Sequence, residues 1–230
     1  MKIHGLQKMT LLDFPGRVAS TVFLGGCDLR CPFCHNAELI DGTAPAVMDE
    51  TELLDFLRKR QGLLDGVAIT GGEPLLRPDL EELLSRVREL GYPVKLDTNG
   101  THPERLRSLL EKGLVQYAAM DIKNSPERYP ETVGVEDFDL APVRESVALL
   151  LGGAWDYEFR TTVVAELHDE ASFRGIGPWI RGAKRYFLQA FTDRDTVPFQ
   201  GFHAPSPEEM RRWAKIMEEF VPSVALRGVE

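Results

Sequence analysis

Six times along this chain a short apolar run ends in glycine or a polar cluster and is followed by a stretch of helical periodicity. That alternation constrains the fold more tightly than any other feature. Val18 to Leu24 is the first run, and it stops at Gly25-Gly26. Asp49-Glu50-Thr51-Glu52 then reads as a capping box, in which the first acid accepts from the N–H of the third helical residue and the last acid answers the first. It opens a helix that carries Leu53, Leu54 and Leu57. Val67 to Thr70 is the second run, stopped by Gly71-Gly72. The helix after it places Leu80, Leu83, Leu84, Val87 and Leu90 on one face, with Pro78 near its start and Gly91 past its end. Val94 to Asp97, Tyr117 to Ile122, Tyr157 to Val164 and Tyr186 to Gln189 are the remaining strands. Helices fall around Leu106 to Leu110, Pro142 to Leu151 and Ala171 to Ile180. Ser206-Pro207-Glu208-Glu209 caps a last helix whose Met210, Trp213 and Met217 share a core face. Strands alternating with helices argue for a parallel sheet. Six such units predict an α/β fold, an open partial (β/α)6 TIM-like barrel, and 230 residues fit it as a single domain over 1–230.

The polar clusters fall at the ends of the predicted strands, which is the catalytic rim of a parallel barrel. The loop Cys27-Asp28-Leu29-Arg30-Cys31-Pro32-Phe33-Cys34-His35 follows the first strand and Gly71-Gly72-Glu73-Pro74 the second. Asp97-Thr98-Asn99-Gly100 ends the third and Asp121-Ile122-Lys123 the fourth. Some of these have a plain structural reading. Asn99-Gly100 is a favoured turn, and a Gly-Gly-Glu-Pro by itself marks only a turn. Residues two apart on a strand share a face, so Asp121 lies with Lys123, and Arg160 with Thr162 and Val164. A charged pair facing a barrel interior is costly unless paired or bound. Asp121 and Lys123 therefore read either as a solvated pair at a strand end or as ligand-binding groups. Arg160 reads equally as a contact for a carboxylate or an incoming polypeptide and as the ion-pair partner of an acid. His168 and His203 read as ordinary surface histidines.

The three cysteines are the only ones in the chain, and all lie within eight residues. Cysteine thiolates are the usual ligands of iron–sulfur clusters. Three of them can hold three irons of a cubane, leaving the fourth open, and an open position is where a metal centre meets a substrate. A zinc site of three cysteines and His35 is the alternative, since Cys3His is a known structural set. His35 adjoins Cys34, however, and neighbouring residues do not easily reach one tetrahedral ion. Three thiols do not suggest a disulfide framework.

With Phe33 and His35-Asn36, the cysteine spacing resembles the cluster motif of the radical S-adenosylmethionine (SAM) enzymes. Gly5-Leu6-Gln7-Lys8 and Thr10-Leu11-Leu12-Asp13-Phe14-Pro15-Gly16, ahead of that loop, look like the activating proteins of anaerobic ribonucleoside-triphosphate reductase. These are close relatives of the pyruvate formate-lyase activators, and the resemblance covers nearly the whole chain. It implies the radical SAM type of partial barrel, with one [4Fe–4S] cluster on Cys27, Cys31 and Cys34 and with SAM as second cofactor. The segment Gly71-Gly72-Glu73-Pro74 would then meet the methionine amino group, with Glu73 helping to hold that region. Lys123 would pair with the SAM carboxylate, and Asp121 would accept from amino or ribose groups. Asp97 and Thr98 would lie near the ribose or a small cation; whether a monovalent cation sits near Asp97 and Asp121 stays open. Phe33, His35 and Arg160 complete the candidate set, His35 bordering the adenine or the substrate loop, or capping its own loop.

The resemblance further implies an oxidoreductase. An electron donor such as flavodoxin or ferredoxin reduces the cluster, SAM is cleaved, and the 5′-deoxyadenosyl radical removes a hydrogen from a glycine Cα of a large glycyl-radical enzyme. Anaerobic ribonucleotide reductase is the expected partner. A formate-lyase type, or a small-molecule reaction like those of deazapurine biosynthesis, is the alternative. Three cysteines leave none for an auxiliary cluster, which favours a macromolecular substrate entering an open barrel. A formal net charge of −9 argues against a nonspecific nucleic-acid partner or an anionic membrane surface. No apolar run approaches a membrane-spanning length and no hydrophobic signal region opens the chain. The expectation is a cytoplasmic protein with reduced thiols.

Overall fold

A computed structural model describes residues 1–229. The chain divides into two compact units: Met1–Asp28 with Glu38–Thr98 and His102–Ala118, and Leu29–Ala37 with Asn99–Thr101 and Ala119–Glu230.

The first unit holds strands β1 (Lys2–Ile3), β2 (Gly5–Thr10), β3 (Ala19–Leu24) and β4 (Met48–Asp49), then helix α1 (Glu50–Lys59) and β5 (Gly66–Gly71). Helix α2 (Leu80–Glu89), β6 (Val94–Thr98) and α3 (Pro103–Glu111) complete it. Its sheet runs β2-β3-β5-β6. β3, β5 and β6 are parallel, and β2 is added antiparallel at the edge. The capping box of α1 forms as expected: Asp49 accepts from the Glu52 N–H at 2.9 Å, and the Glu52 carboxylate accepts from the Asp49 N–H at 2.8 Å. The leucine faces of α1 and α2 are buried: Leu53, Leu57, Leu80, Leu83, Leu84 and Val87 expose nothing to solvent. β3 and β5 are buried along most of their length, so neither shows the in–out alternation of a half-exposed strand.

Strand β7 (Tyr117–Asp121) leads into the second unit, which holds α4 (Tyr129–Val133), α5 (Ala141–Gly152), β8 (Tyr157–Val163) and α6 (Glu170–Trp179). β9 (Tyr186–Ala190), α7 (Pro207–Met217) and β10 (Val224–Arg227) follow. β8, β9 and β10 are parallel neighbours. The second capping box, Ser206 with Glu209, also forms, and Met210, Trp213 and Met217 of α7 are buried as core.

Each strand expected from periodicity is present, with ends shifted by no more than one residue. Among the described residues, five strands and α-helices lie outside that expectation. β1 and β4 are two residues each and pair with one another. β2 exposes Gln7, Lys8 and Met9, so it carries no apolar run. β10 is a four-residue strand, and α4 is a five-residue helix with Pro130 in its first turn. Among the described residues no helix is long and apolar enough to cross a membrane.

Candidate functional site

In the first unit, β3 ends at Leu24 and runs into the cysteine loop. Its start is fixed by backbone bonds, Gly26 N–H to Leu39 O at 2.7 Å and Cys27 N–H to Ile40 O at 2.9 Å. The Gly71-Gly72-Glu73 turn at the end of β5 is fastened to the same segment: Gly72 N–H donates to Leu24 O at 2.9 Å and Glu73 N–H to Gly26 O at 2.7 Å. Here the sequence reading gains a second reason for the glycines. Gly71 has φ +120, and a Cβ on it would lie 2.3 Å from Leu24 O. A Cβ on Gly72 would lie 2.1 Å from Gly26 O. The close approach that glycine permits is to the backbone of the segment that leads from β3 into the cysteine loop.

Glu73 is fully buried and accepts from the Leu75 N–H at 3.0 Å and from the Thr98 hydroxyl at 2.9 Å. A buried carboxylate needs such partners, and these tie the ends of β5 and β6 together. Asp97 forms an ion pair with Lys95, whose side chain is 3% exposed. Lys95 was not singled out from sequence, although its position two residues before Asp97 puts both on one strand face. It supplies positive charge beside Asp97, where a small cation was an open expectation.

In the second unit lie Cys31, Phe33, Cys34 and His35. Phe33 is buried. The ring of His35 stacks on Phe191 with centroids 5.2 Å apart, and its Nε2–H donates to Thr192 O at 2.6 Å. Asp121 ends β7 and sits between two cations: Arg160 Nε donates to its Oδ1 at 2.5 Å and Lys123 Nζ to its Oδ2 at 2.7 Å. Arg160 thus forms an ion pair with an acid. Lys123 lies just beyond the strand, yet it meets Asp121 as the shared-face argument expected.

The electrostatics of this half are strongly coupled. Burial pushes the Asp121 carboxyl up, but Arg160 and Lys123 outweigh it and hold the group well below the usual carboxylate range. Burial pulls Lys123 down, and Asp121 and Cys31 more than restore it, so the ammonium stays charged. Burial raises the Cys31 thiol to about 11, against the pull of Lys123, and raises Cys34 as well. At neutral pH these sulfurs carry protons, which binding of a metal must displace. Lys123 is the charge that compensates the resulting thiolates.

Asp121→Asn should therefore lower stability by about 3 kcal/mol, since it leaves two buried cations without their counter-ion. The sign of the pH dependence follows from the depressed carboxyl. Its contribution is present above the ordinary value near ~3.9 and is lost as pH falls below that toward the folded value. Urea unfolding at pH 7 and at pH 3.5 tests this: the gap between wild type and variant should be wide at the first and narrower at the second.

His168 corrects the sequence reading. It is 2% exposed, not a surface residue. Its Nε2 meets Lys123 O at 2.8 Å and its Nδ1 meets the Val164 N–H at 3.1 Å. Burial lowers its pKa, so the ring is neutral at physiological pH. Tyr129 was also missed; it is fully buried, and its hydroxyl accepts from the Lys123 N–H at 3.3 Å. Neither residue carries a local sequence signal. His203 is exposed and pairs with Glu166 at 2.7 Å, as a surface histidine does.

Among the described residues no three His, Cys, Asp or Glu side chains gather on one point in the way a single ion requires. A cubane asks for something else, because its thiolates bind different irons. Three soft sulfur donors in one short loop suit iron–sulfur. In the first unit Gly71 and Gly72 bring their backbone against the segment that enters that loop, and in the second unit Lys123 sets a cation beside Cys31.

The family model "Radical SAM superfamily" matches residues 21–151, more than half of the chain. The protein belongs to the radical SAM superfamily, whose cofactors are a [4Fe–4S] cluster and SAM. Over 99% of its length it is 29% identical to the "Putative glycyl-radical enzyme activating enzyme MJ1227" of Methanocaldococcus jannaschii, covering 96% of that protein. It is 36% identical to the pyruvate formate-lyase-activating enzyme of Clostridium pasteurianum over 43% of each chain. It is 34% identical to the 7-carboxy-7-deazaguanine synthase of Hyperthermus butylicus over 67% of this chain and 61% of that one. Streptococcus suis SuiB bound to its precursor peptide SuiA has the same fold at 14% identity, with a TM-score of 0.73 over 90% of this chain and 48% of that one. The fold is thus α/β with a mostly parallel sheet, consistent with a partial TIM-like barrel.

Proposed function

We propose that the protein is a glycyl-radical-enzyme activating enzyme and that its partner is an anaerobic ribonucleoside-triphosphate reductase. The observation that carries the activase reading is the nearly end-to-end likeness to the Methanocaldococcus jannaschii protein. What favours the reductase is the stretch Gly5 to Gly16 ahead of the cysteine loop. Cys27, Cys31 and Cys34 would hold the cluster, and Lys123, with one of its three donors on Asp121, would meet the SAM carboxylate. Bound there, cluster and SAM would supply one-electron reductive chemistry able to take hydrogen from carbon.

The chain's own residues position and neutralise. Lys123 offsets the charge of the Cys31 and Cys34 thiolates and orients an incoming carboxylate. Arg160 and Asp121 hold Lys123 in place. Glu73, tied to Thr98, fixes the turn whose backbone would line the methionine amino group. A flavodoxin or ferredoxin would supply the electron. The Clostridium pasteurianum relative favours a second reading, in which the partner is of the formate-lyase type.

Reconstituted anaerobically and given dithionite and SAM, the protein should release 5′-deoxyadenosine and methionine in equal amounts. Lys123→Ala should weaken SAM binding about tenfold or more, the worth of a charge-assisted hydrogen bond. Equal affinity in wild type and variant would leave Lys123 as a partner of Asp121 only.

A further inference from the structure

We infer that His168 is a positioning residue for the SAM site, one that sets the Lys123 backbone from behind. The inference rests on the reading of Lys123 as the SAM carboxylate contact and adds the device that aims it. The peptide of Lys123 is gripped on both sides within the second unit. Its N–H donates to the Tyr129 hydroxyl at 3.3 Å, and its carbonyl meets His168 Nε2 at 2.8 Å. A carbonyl only accepts, so Nε2 carries the proton. Nδ1 is then the lone pair that accepts from the Val164 N–H at 3.1 Å. One neutral tautomer satisfies both bonds.

The neighbours of Lys123 are fastened to β8, to the turn after it and to α4. Ile122 N–H donates to Arg160 O at 2.8 Å, and the Thr161 hydroxyl donates to Ile122 O at 2.6 Å. Asn124 Nδ2 reaches both Leu167 O and Thr132 Oγ1 at 2.9 Å. The turn after β7 is thus laced to β8 and to the turn 164–168 that follows it. His168 is the link at the residue whose ammonium must point correctly, and its ring is backed by Phe173, which stacks on Trp213 of α7. A buried ring spending both nitrogens on backbone around one lysine does more than fill space, since an apolar side chain of similar volume would leave two buried backbone groups unsatisfied. The Asp121 pair fixes the side chain of Lys123, and His168 with Tyr129 fixes its backbone. A group held at both places loses less freedom when it binds.

Anaerobic calorimetric titration of SAM into the cluster-reconstituted protein tests this, with hydrogen exchange at residues 122–125 followed by mass spectrometry. His168→Leu should weaken SAM binding about fivefold or more, at wild-type iron content and with faster exchange at Lys123 and Asn124. His168→Gln has an amide that can donate to Lys123 O and accept from Val164 N–H, so it should stay within about twofold of wild type. Should His168→Leu fail to fold, Tyr129→Phe keeps the ring and removes only the acceptor of the Lys123 N–H, and carries the same expectation. Wild-type affinity in His168→Leu, or in Tyr129→Phe where that variant stands in for it, while Lys123→Ala loses affinity, overturns the inference and leaves the Lys123 reading standing. Wild-type affinity in Lys123→Ala overturns both.

Discussion

Replacing any one of Cys27, Cys31 and Cys34 with alanine is expected to take bound iron from about four per chain to near background, and SAM cleavage with it. The reason is arithmetic in ligands. The chain has three cysteines and no fourth to substitute. Cys31 is the strictest case. Its buried sulfur sits beside Lys123, whose charge is arranged to meet a thiolate there. An alanine leaves that cation facing an apolar methyl and would leave one more iron of the cluster without a thiolate. Iron and sulfide analysis after anaerobic reconstitution reads the result directly. A full complement of four irons in any single variant would reject the three-thiolate assignment.

Gly72→Ala should be nearly as damaging, by a different route. The added Cβ would lie 2.1 Å from Gly26 O and 2.7 Å from Gly26 C. Both are backbone atoms of the segment that enters the cysteine loop, and Gly26 O already accepts from the Glu73 N–H. Nothing flexible can move aside, so the two turns must separate. Overpacking of this kind costs about 1–3 kcal/mol even where side chains can adjust; here the upper end or beyond is expected, together with weakened cluster loading. Gly152→Ala is the control. A Cβ there meets nothing within 4 Å, and its effect should stay within about 1 kcal/mol. Urea denaturation of the apo-protein separates the two. Equal midpoints for both variants would show that the turn yields more readily than the geometry indicates.

Much of this arrangement was legible in the sequence because it is local. Helix faces repeat every three to four residues, both expected capping boxes place their partners three residues apart, and the cysteine loop is eight residues long. The elements that escaped are those too short or too polar for periodicity: the two-residue pair β1 and β4, the polar edge strand β2, the short β10 and the five-residue helix α4. What escaped within the site was long-range. Glu73 meets Thr98 25 residues away, and Arg160 meets Asp121 39 residues away. His168 reaches back 45 residues to Lys123. No window of sequence contains such a pair, so His168 looked like any surface histidine. Lys95 is the exception, because its strand-face partnership with Asp97 lay within three residues and was readable.

The activase reading meets its most direct test in electron paramagnetic resonance. This protein, SAM and a reductant are mixed anaerobically with a candidate anaerobic ribonucleotide reductase, and the frozen sample is examined for a protein radical. The account predicts a glycyl doublet on the partner that disappears when the partner's radical-bearing glycine is replaced by alanine. A radical on a formate-lyase-type enzyme and none on the reductase would move the assignment to that partner. Turnover of a small molecule with no radical on either protein would contradict the activase account altogether.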